Sequence, residues 1–228
     1  MMAAMRLAFA TMLVALLAVR TAGAQDLAQR CAEVARDGDV AACRAAVAAN
    51  PADIGARRNL AFAYLALNDH DACLAVHRDI VAIAPDDPEA WFGYAAAAAT
   101  FWDYASAVEP IRVALRLAPD DLMSLRVAAI VFRMAGLPRD ALAAMSRGAE
   151  LGDDLQMAAV AEAYRRGLGT TADPLAGRIW LERAAASGHV GAMQQLAALY
   201  RDGGDGLPAD RAAAEAWSAR ARRALDGD

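Results

Sequence analysis

An all-α fold of stacked antiparallel helix hairpins is predicted by three observations. The chain of 228 residues is 58% hydrophobic but only 6% aromatic. More than one residue in four is Ala, and every basic side chain other than His is Arg. Proline, aspartate and small residues recur at a fixed step through the middle of the chain. Ala is the strongest helix former, and its small side chain lets helices approach closely. Val, Ile, Thr and aromatics are too sparse for many strands. Moderate charge and high apolar content argue against long disorder. A net charge of -5 with a pI near 5.2 argues against nucleic acid as a partner.

The first element is an address. Arg6 supplies a positive start, Leu7–Val19 an apolar run, and Ala22-Gly23-Ala24 a small-residue cleavage site. This predicts a secretory signal peptide over residues 1–24, too short to span a bilayer comfortably. The mature chain then starts near Gln25, has no membrane span, and resides in a bacterial periplasm or beyond it. Residues 25–51 follow as an N-terminal helical hairpin, Leu27–Arg36 and Val40–Ala49, folded at Asp37-Gly38-Asp39. The fold sets Cys31 opposite Cys43, and in an oxidising compartment a disulfide is expected there. Cys73 is the third and odd cysteine.

Residues 52–153 are periodic. Pro51, Pro85 and Pro119 are evenly spaced, and Asp53, Asp87 and Asp121 follow them at the same step. That step also links Leu60 with Tyr94 and Ala128, Ala61 with Ala95 and Ala129, and Cys73 with Ala107 and Ala141. In each unit the Asp caps a first helix by accepting from its free N–H groups. A small residue marks where the two helices cross, and the Pro stops the second helix. One hairpin cannot bury its apolar face alone, so neighbours must stack.

Residues 154–228 keep the hairpins but change the pattern. Val160-Ala161-x-x-Tyr164 recurs as Leu196-Ala197-x-x-Tyr200, Gly167 as Gly203, Trp180 as Trp217 and Ala184 as Ala221. A polar, Arg-rich end, including Arg220, Arg222 and Arg223, suits a terminal capping helix.

These motifs carry two resemblances. Residues 52–153 resemble the tetratricopeptide repeat family over three units. Trp91 stands at the family's tryptophan position, Ala95 and Ala107 at its small positions, and Pro119 at its closing proline. Residues 154–228 resemble two Sel-1-like repeats, a relative with a longer glycine-bearing turn. The resemblance implies a right-handed α-solenoid whose first helices line a concave, peptide-binding groove. Inward positions would be Arg58, Phe62 and Leu65, then Phe92 and Ala96, then Arg126, Ile130 and Arg133. Such a groove suits a helix or extended peptide with apolar anchors and a carboxylate, which Arg grips bidentately. Phe62, Ala96 and Ile130 stand where the family's carboxylate clamp uses Asn, which argues against chaperone-tail binding of that kind.

Candidate chemistry is thin. His70, Cys73 and His77 fall within about 60° of one helix face and would suit zinc. No fourth ligand is evident, and Cys73 and His77 occupy core columns of the repeat, so packing is the preferred reading and no metal is assigned. Asp202, Asp205 and Asp210 do not match a calcium-loop spacing. Ser187-Gly188-His189 is not a catalytic pair, and no phosphate-cradling loop, nucleophile elbow or HExxH is present. No catalytic residue and no cofactor are expected. The sequence therefore reads as a non-enzymatic protein- or peptide-binding adaptor. Its alternatives are a peptidoglycan-associated assembly factor of the cell envelope or, more distantly, a Sel-1-like β-lactam-binding or hydrolysing protein. The lack of Cys in 154–228 argues against the last.

Overall fold

The computed structural model describes residues 29–31, 33, 35 and 39–226. The expected signal peptide lies outside the described residues, as does part of the expected helix Leu27–Arg36. The chain divides into two compact units, one ending at Trp102 and the other beginning at Asp103.

In the first unit the helices are α1 (Val40–Ala49), α2 (Ile54–Ala66), α3 (His70–Ile83) and α4 (Pro88–Thr100). Each packs on its neighbour in sequence. Asp39, Asp53, Asp69 and Asp87 cap them, with Asp53 Oδ1 accepting from Ala56 N at 3.0 Å and Asp87 Oδ1 from Glu89 N at 2.9 Å. Aspartate is a favoured N-cap because the first N–H groups of a helix lack internal partners. The core is built from Ala56, Leu60, Ala61, Tyr64, Cys73, Ile80 and Ala95, all buried. A disulfide joins Cys31 to Cys43, Cα atoms 4.5 Å apart, and both residues are fully buried. Closing so short a loop stabilises by about 3 kcal/mol on the chain-entropy view.

In the second unit the helices are α5 (Tyr104–Leu117), α6 (Leu122–Met134), α7 (Pro138–Glu150), α8 (Asp154–Arg166), α9 (Pro174–Ala186), α10 (Val190–Asp202) and α11 (Arg211–Asp226). Again each packs on the next. Ile111, Val131, Val160, Leu181 and Leu196 are fully buried between them. Burying such side chains contributes roughly 1.5–3 kcal/mol each. The two long turns close alike. Asp173 N donates to Tyr164 O at 2.7 Å, and Asp210 N to Tyr200 O at 2.6 Å. Arg183 lies over the Trp180 ring at 4.7 Å, and Arg220 over Trp217 at 5.3 Å.

One glycine sets the spacing of α8 and α9. A Cβ at Gly177 would lie 2.8 Å from the carbonyl oxygen of Ala161 and would also strike Arg165 Cγ. The backbone oxygen cannot move without shifting α8. Gly177→Ala should therefore destabilise by about 1–3 kcal/mol, the usual cost of overpacking, although Ala is the better helix former. Urea denaturation checks this; a gain in stability would show that the two helices have room to part.

Candidate functional site

The expected inward positions fall into two groups, one in each unit. In the first unit, Phe62 on α2 is 46% exposed, while Leu65 on α2 and Phe92 and Ala96 on α4 are half-buried. Arg58 on α2 is engaged. Its Nη2 reaches Asp87 Oδ2 at 3.2 Å, and its Nη1 reaches Glu89 Oε2 at 3.1 Å. Asp87 thus caps α4 and pairs with α2 at once.

The His70, Cys73 and His77 face does not form a ligand cluster. Cys73 is buried, and burial together with the nearby Asp69 pushes its thiol up to about 11. His77 stacks on Tyr94, centroids 6.1 Å apart, and His70 meets Phe101 edge-on at 5.0 Å. Burial, helped by the charge of Arg58, pushes His77 down to about 4. Its buried Nδ1 has no hydrogen-bond partner. Among the described residues no three His, Cys, Asp or Glu side chains converge to hold a metal ion.

In the second unit, Arg126, Ile130 and Arg133 of α6 come together with α8. Arg126 Nε donates to Asp153 Oδ2 at 2.5 Å. Asp153 is 4% exposed, and its Oδ1 also caps α8, accepting from Leu155 N at 3.1 Å and Gln156 N at 3.3 Å. Burial alone would raise its carboxyl, but the Arg126 bond and the cap bonds hold it below the ordinary carboxylate value. Ala129, Ile130, Arg133, Leu155 and Gln156 line a hollow of 260 Å³ with Arg126 at its side. Gln156 is buried over Gly148, where a Cβ would lie 2.9 Å from Gln156 Cγ, and its Nε2 has no partner.

Two features depart from the expectation. Arg58 and Arg126, expected to grip a partner's carboxylate, are each paired with acids of the chain itself. Leu155 and Gln156 were not among the expected site residues. The reason is register. Helices α2, α4 and α6 start at an even step, at positions 54, 88 and 122, but α8 starts at 154, earlier than that step would place it. Asp153 stands in the proline column and takes the capping role that Asp121 has one unit earlier. The doublet Asp153-Asp154 ahead of an apolar run was the signal that could have revealed the shift.

These pairs differ in burial, and their removal should differ accordingly. Arg126→Ala leaves the buried Asp153 carboxylate without its counter-charge, whereas the Asp87 side chain remains 34% exposed. Thermal melts should show a larger loss of Tm for Arg126→Ala than for Arg58→Ala; equal losses would argue against burial as the cause. The depressed native pKa of Asp153 adds stability that is present above its unfolded value and lost as pH falls through the native one. His77 acts over a higher window. With its native value near 4, stability is full above its unfolded pKa of about 6.5 and falls toward pH 4, by at most about 3 kcal/mol. His77→Phe should flatten chemical denaturation midpoints between pH 6.5 and 4; an unchanged slope would remove His77 as the cause.

Comparisons with known proteins agree with this fold. A tetratricopeptide repeat family profile matches residues 54–97. No curated protein matches the sequence significantly. Among solved structures the chain is similar to "Functional Characterization of Pseudomonas Aeruginosa pilF" (TM-score 0.60, 14% identity, 92% of this chain and 95% of that one). It is similar to the Sel1 repeat protein from Oxalobacter formigenes (TM-score 0.52, 23% identity, 86% of each chain). It is also similar to YrrB, described as a TPR protein with an unusual peptide-binding site (TM-score 0.56, 16% identity, 81% of this chain and 92% of that one). Residues 54–97 thus match the tetratricopeptide repeat, and the all-α fold of the chain is similar to that of tetratricopeptide- and Sel1-repeat proteins.

Proposed function

We propose that this protein is a non-enzymatic adaptor of a bacterial periplasm or the space beyond it. It holds protein or peptide partners on the inward faces of its first helices. The observation that carries this reading is the exposure of Phe62 (46%) and Ile130 (48%), large apolar side chains at equivalent positions two repeats apart. Their neighbours Ala61, Ala63, Ala129 and Val131 are buried in the stack. Single exposed apolar side chains are common on protein surfaces, but these two stand at the positions where the tetratricopeptide resemblance places the partner-binding groove. Tetratricopeptide repeats are generally non-catalytic modules that bind protein or peptide partners, and YrrB carries a peptide-binding site in the same fold.

The buried disulfide supports an oxidising compartment, in line with the secretory signal read in residues 1–24. Among the described residues no helix is long and apolar enough to cross a membrane. Cys73 is held neutral by its raised pKa and His77 by its lowered one.

Photo-crosslinking in an exporting Gram-negative host tests the reading. A photoreactive phenylalanine analogue is placed at Phe62, at Ile130, or at the exposed second-helix residue Arg116. A discrete adduct from Phe62 or Ile130, absent from Arg116, is the expected result. Adducts equal at all three sites, or none, would overturn it.

A further inference from the structure

One column of the first helices changes its filling from repeat to repeat. Trp91 on α4 is half-buried, and its Nε1 donates to the carbonyl oxygen of Pro85 at 2.8 Å. One step later the same two columns hold Leu125 on α6 and Pro119. Leu125 is shorter than an indole, and a hollow of 390 Å³ opens there, lined from both sides by the second helices α5 and α7. Its volume falls in the range of small-molecule sites, roughly 300–1,000 Å³. Leu125 and Phe132, both buried, share one face of α6 and form the floor. Leu115 of α5 and Ala144 of α7 wall it. Ile130 is on another face of α6 and does not line it, so this hollow is separate from the proposed partner surface.

Three polar groups accompany the apolar floor. Pro119 lines the hollow and is exposed, and its carbonyl oxygen, counterpart of the one that accepts from Trp91, receives no hydrogen bond among the described residues. Arg112 of α5 and Asp140 of α7 stand at the rim as an ion pair, Nη2 to Oδ2 at 2.6 Å, with side chains 45% and 44% exposed. Arg112 also lies over the Phe132 ring at 5.6 Å. The pair uses one nitrogen of the guanidinium and one oxygen of the carboxylate, which leaves hydrogen-bonding capacity on both. A bare carboxylate drawn to Arg112 would meet Asp140, and a bare amine drawn to Asp140 would meet Arg112, so each is opposed by a like charge. A zwitterion is not. Its carboxylate faces Arg112 and its ammonium faces Asp140, and the four charges alternate in sign. We propose that this hollow binds a free aromatic α-amino acid of the tryptophan kind. The ring lies on Leu125 and Phe132 where the chain supplies no indole of its own, and the ring N–H donates to the Pro119 oxygen. This site goes beyond the adaptor reading and does not depend on it.

The probe is a ring-fluorinated tryptophan followed by fluorine NMR with the full chain, which keeps the ligand signal apart from the four tryptophans of the protein. Saturable binding that unlabelled tryptophan displaces is the expected result. Indolepropionate, which lacks the ammonium, and tryptamine, which lacks the carboxylate, should each compete at least about tenfold more weakly. N-acetyltryptophanamide, which presents tryptophan as a polypeptide does, should also compete at least about tenfold more weakly. In the protein, Arg112→Gln and Asp140→Asn should each weaken binding by about tenfold with little change in Tm, since exposed ion pairs contribute little to stability. Leu125→Trp supplies the missing ring from the chain itself and should abolish binding while keeping the Tm. If that variant lowers the Tm, the two rim variants decide alone. Absence of saturable binding overturns the proposal, as does binding indifferent to Arg112→Gln and Asp140→Asn, or retained in a folded Leu125→Trp. Equal competition by N-acetyltryptophanamide and tryptophan also overturns it, and would assign the hollow to a tryptophan side chain of another polypeptide.

Discussion

A helix hairpin has an apolar face that its own two helices cannot cover, and in this protein the next helix in sequence covers it. From α1 to α4, and again from α5 to α11, packing runs between sequence neighbours. The closeness of those contacts comes from small residues at the crossings. Ala61, Ala95, Ala107, Ala128 and Ala141 are all buried, and Gly177 admits a backbone carbonyl where a methyl would not fit. Ala is thus used twice, as a helix former and as a spacer. The high Ala content follows from the architecture rather than accompanying it.

Charge reinforces the same neighbour-to-neighbour logic. Asp87 and Asp153 each cap a first helix and receive an arginine from the first helix of the preceding unit. The acid fixes where its helix begins and how that helix sits against the one before. In the middle unit Phe92 occupies the position of Arg58 and Arg126, so Asp121 caps α6 through Ser124 without that arginine column. A guanidinium engaged in such a pair fastens one repeat to the next. Arg133 makes no such pair among the described residues.

The functional reading follows from what the stack leaves over. Buried positions are taken by neighbour contacts, and the buried thiol and imidazole are pressed toward neutral, unreactive forms. Among the large apolar side chains left exposed are Phe62 in one unit, and Ile130 and Leu155 beside the buried Gln156 in the other. In the proposed reading, such a surface recognises a partner by fit and by a few polar contacts.

Much of this was legible in the residues. The capping aspartates, the small crossing residues and the prolines recur at fixed steps, because a solenoid repeats the same local problem and solves it with the same residue types. The helix Val40–Ala49 and the Cys31–Cys43 pair follow from a turn flanked by two short helical runs. The tetratricopeptide resemblance implies that Arg126, Ile130 and Arg133 share the inward face, and their i, i+4, i+7 spacing fits one helix face. Periodicity could not say whether Arg58 and Arg126 were free. That depends on which acid a long side chain reaches in the following repeat, a question of tertiary distance. Nor could it find Leu155 and Gln156, because the shortened unit before α8 breaks the even step. Local spacing along the chain was enough to set the repeating hairpins, their caps and the pairing of the first two cysteines. Which arginine is left without an acid, and which amide without an acceptor, was settled only by folding, because a polar group's partners are the neighbours brought to it in space.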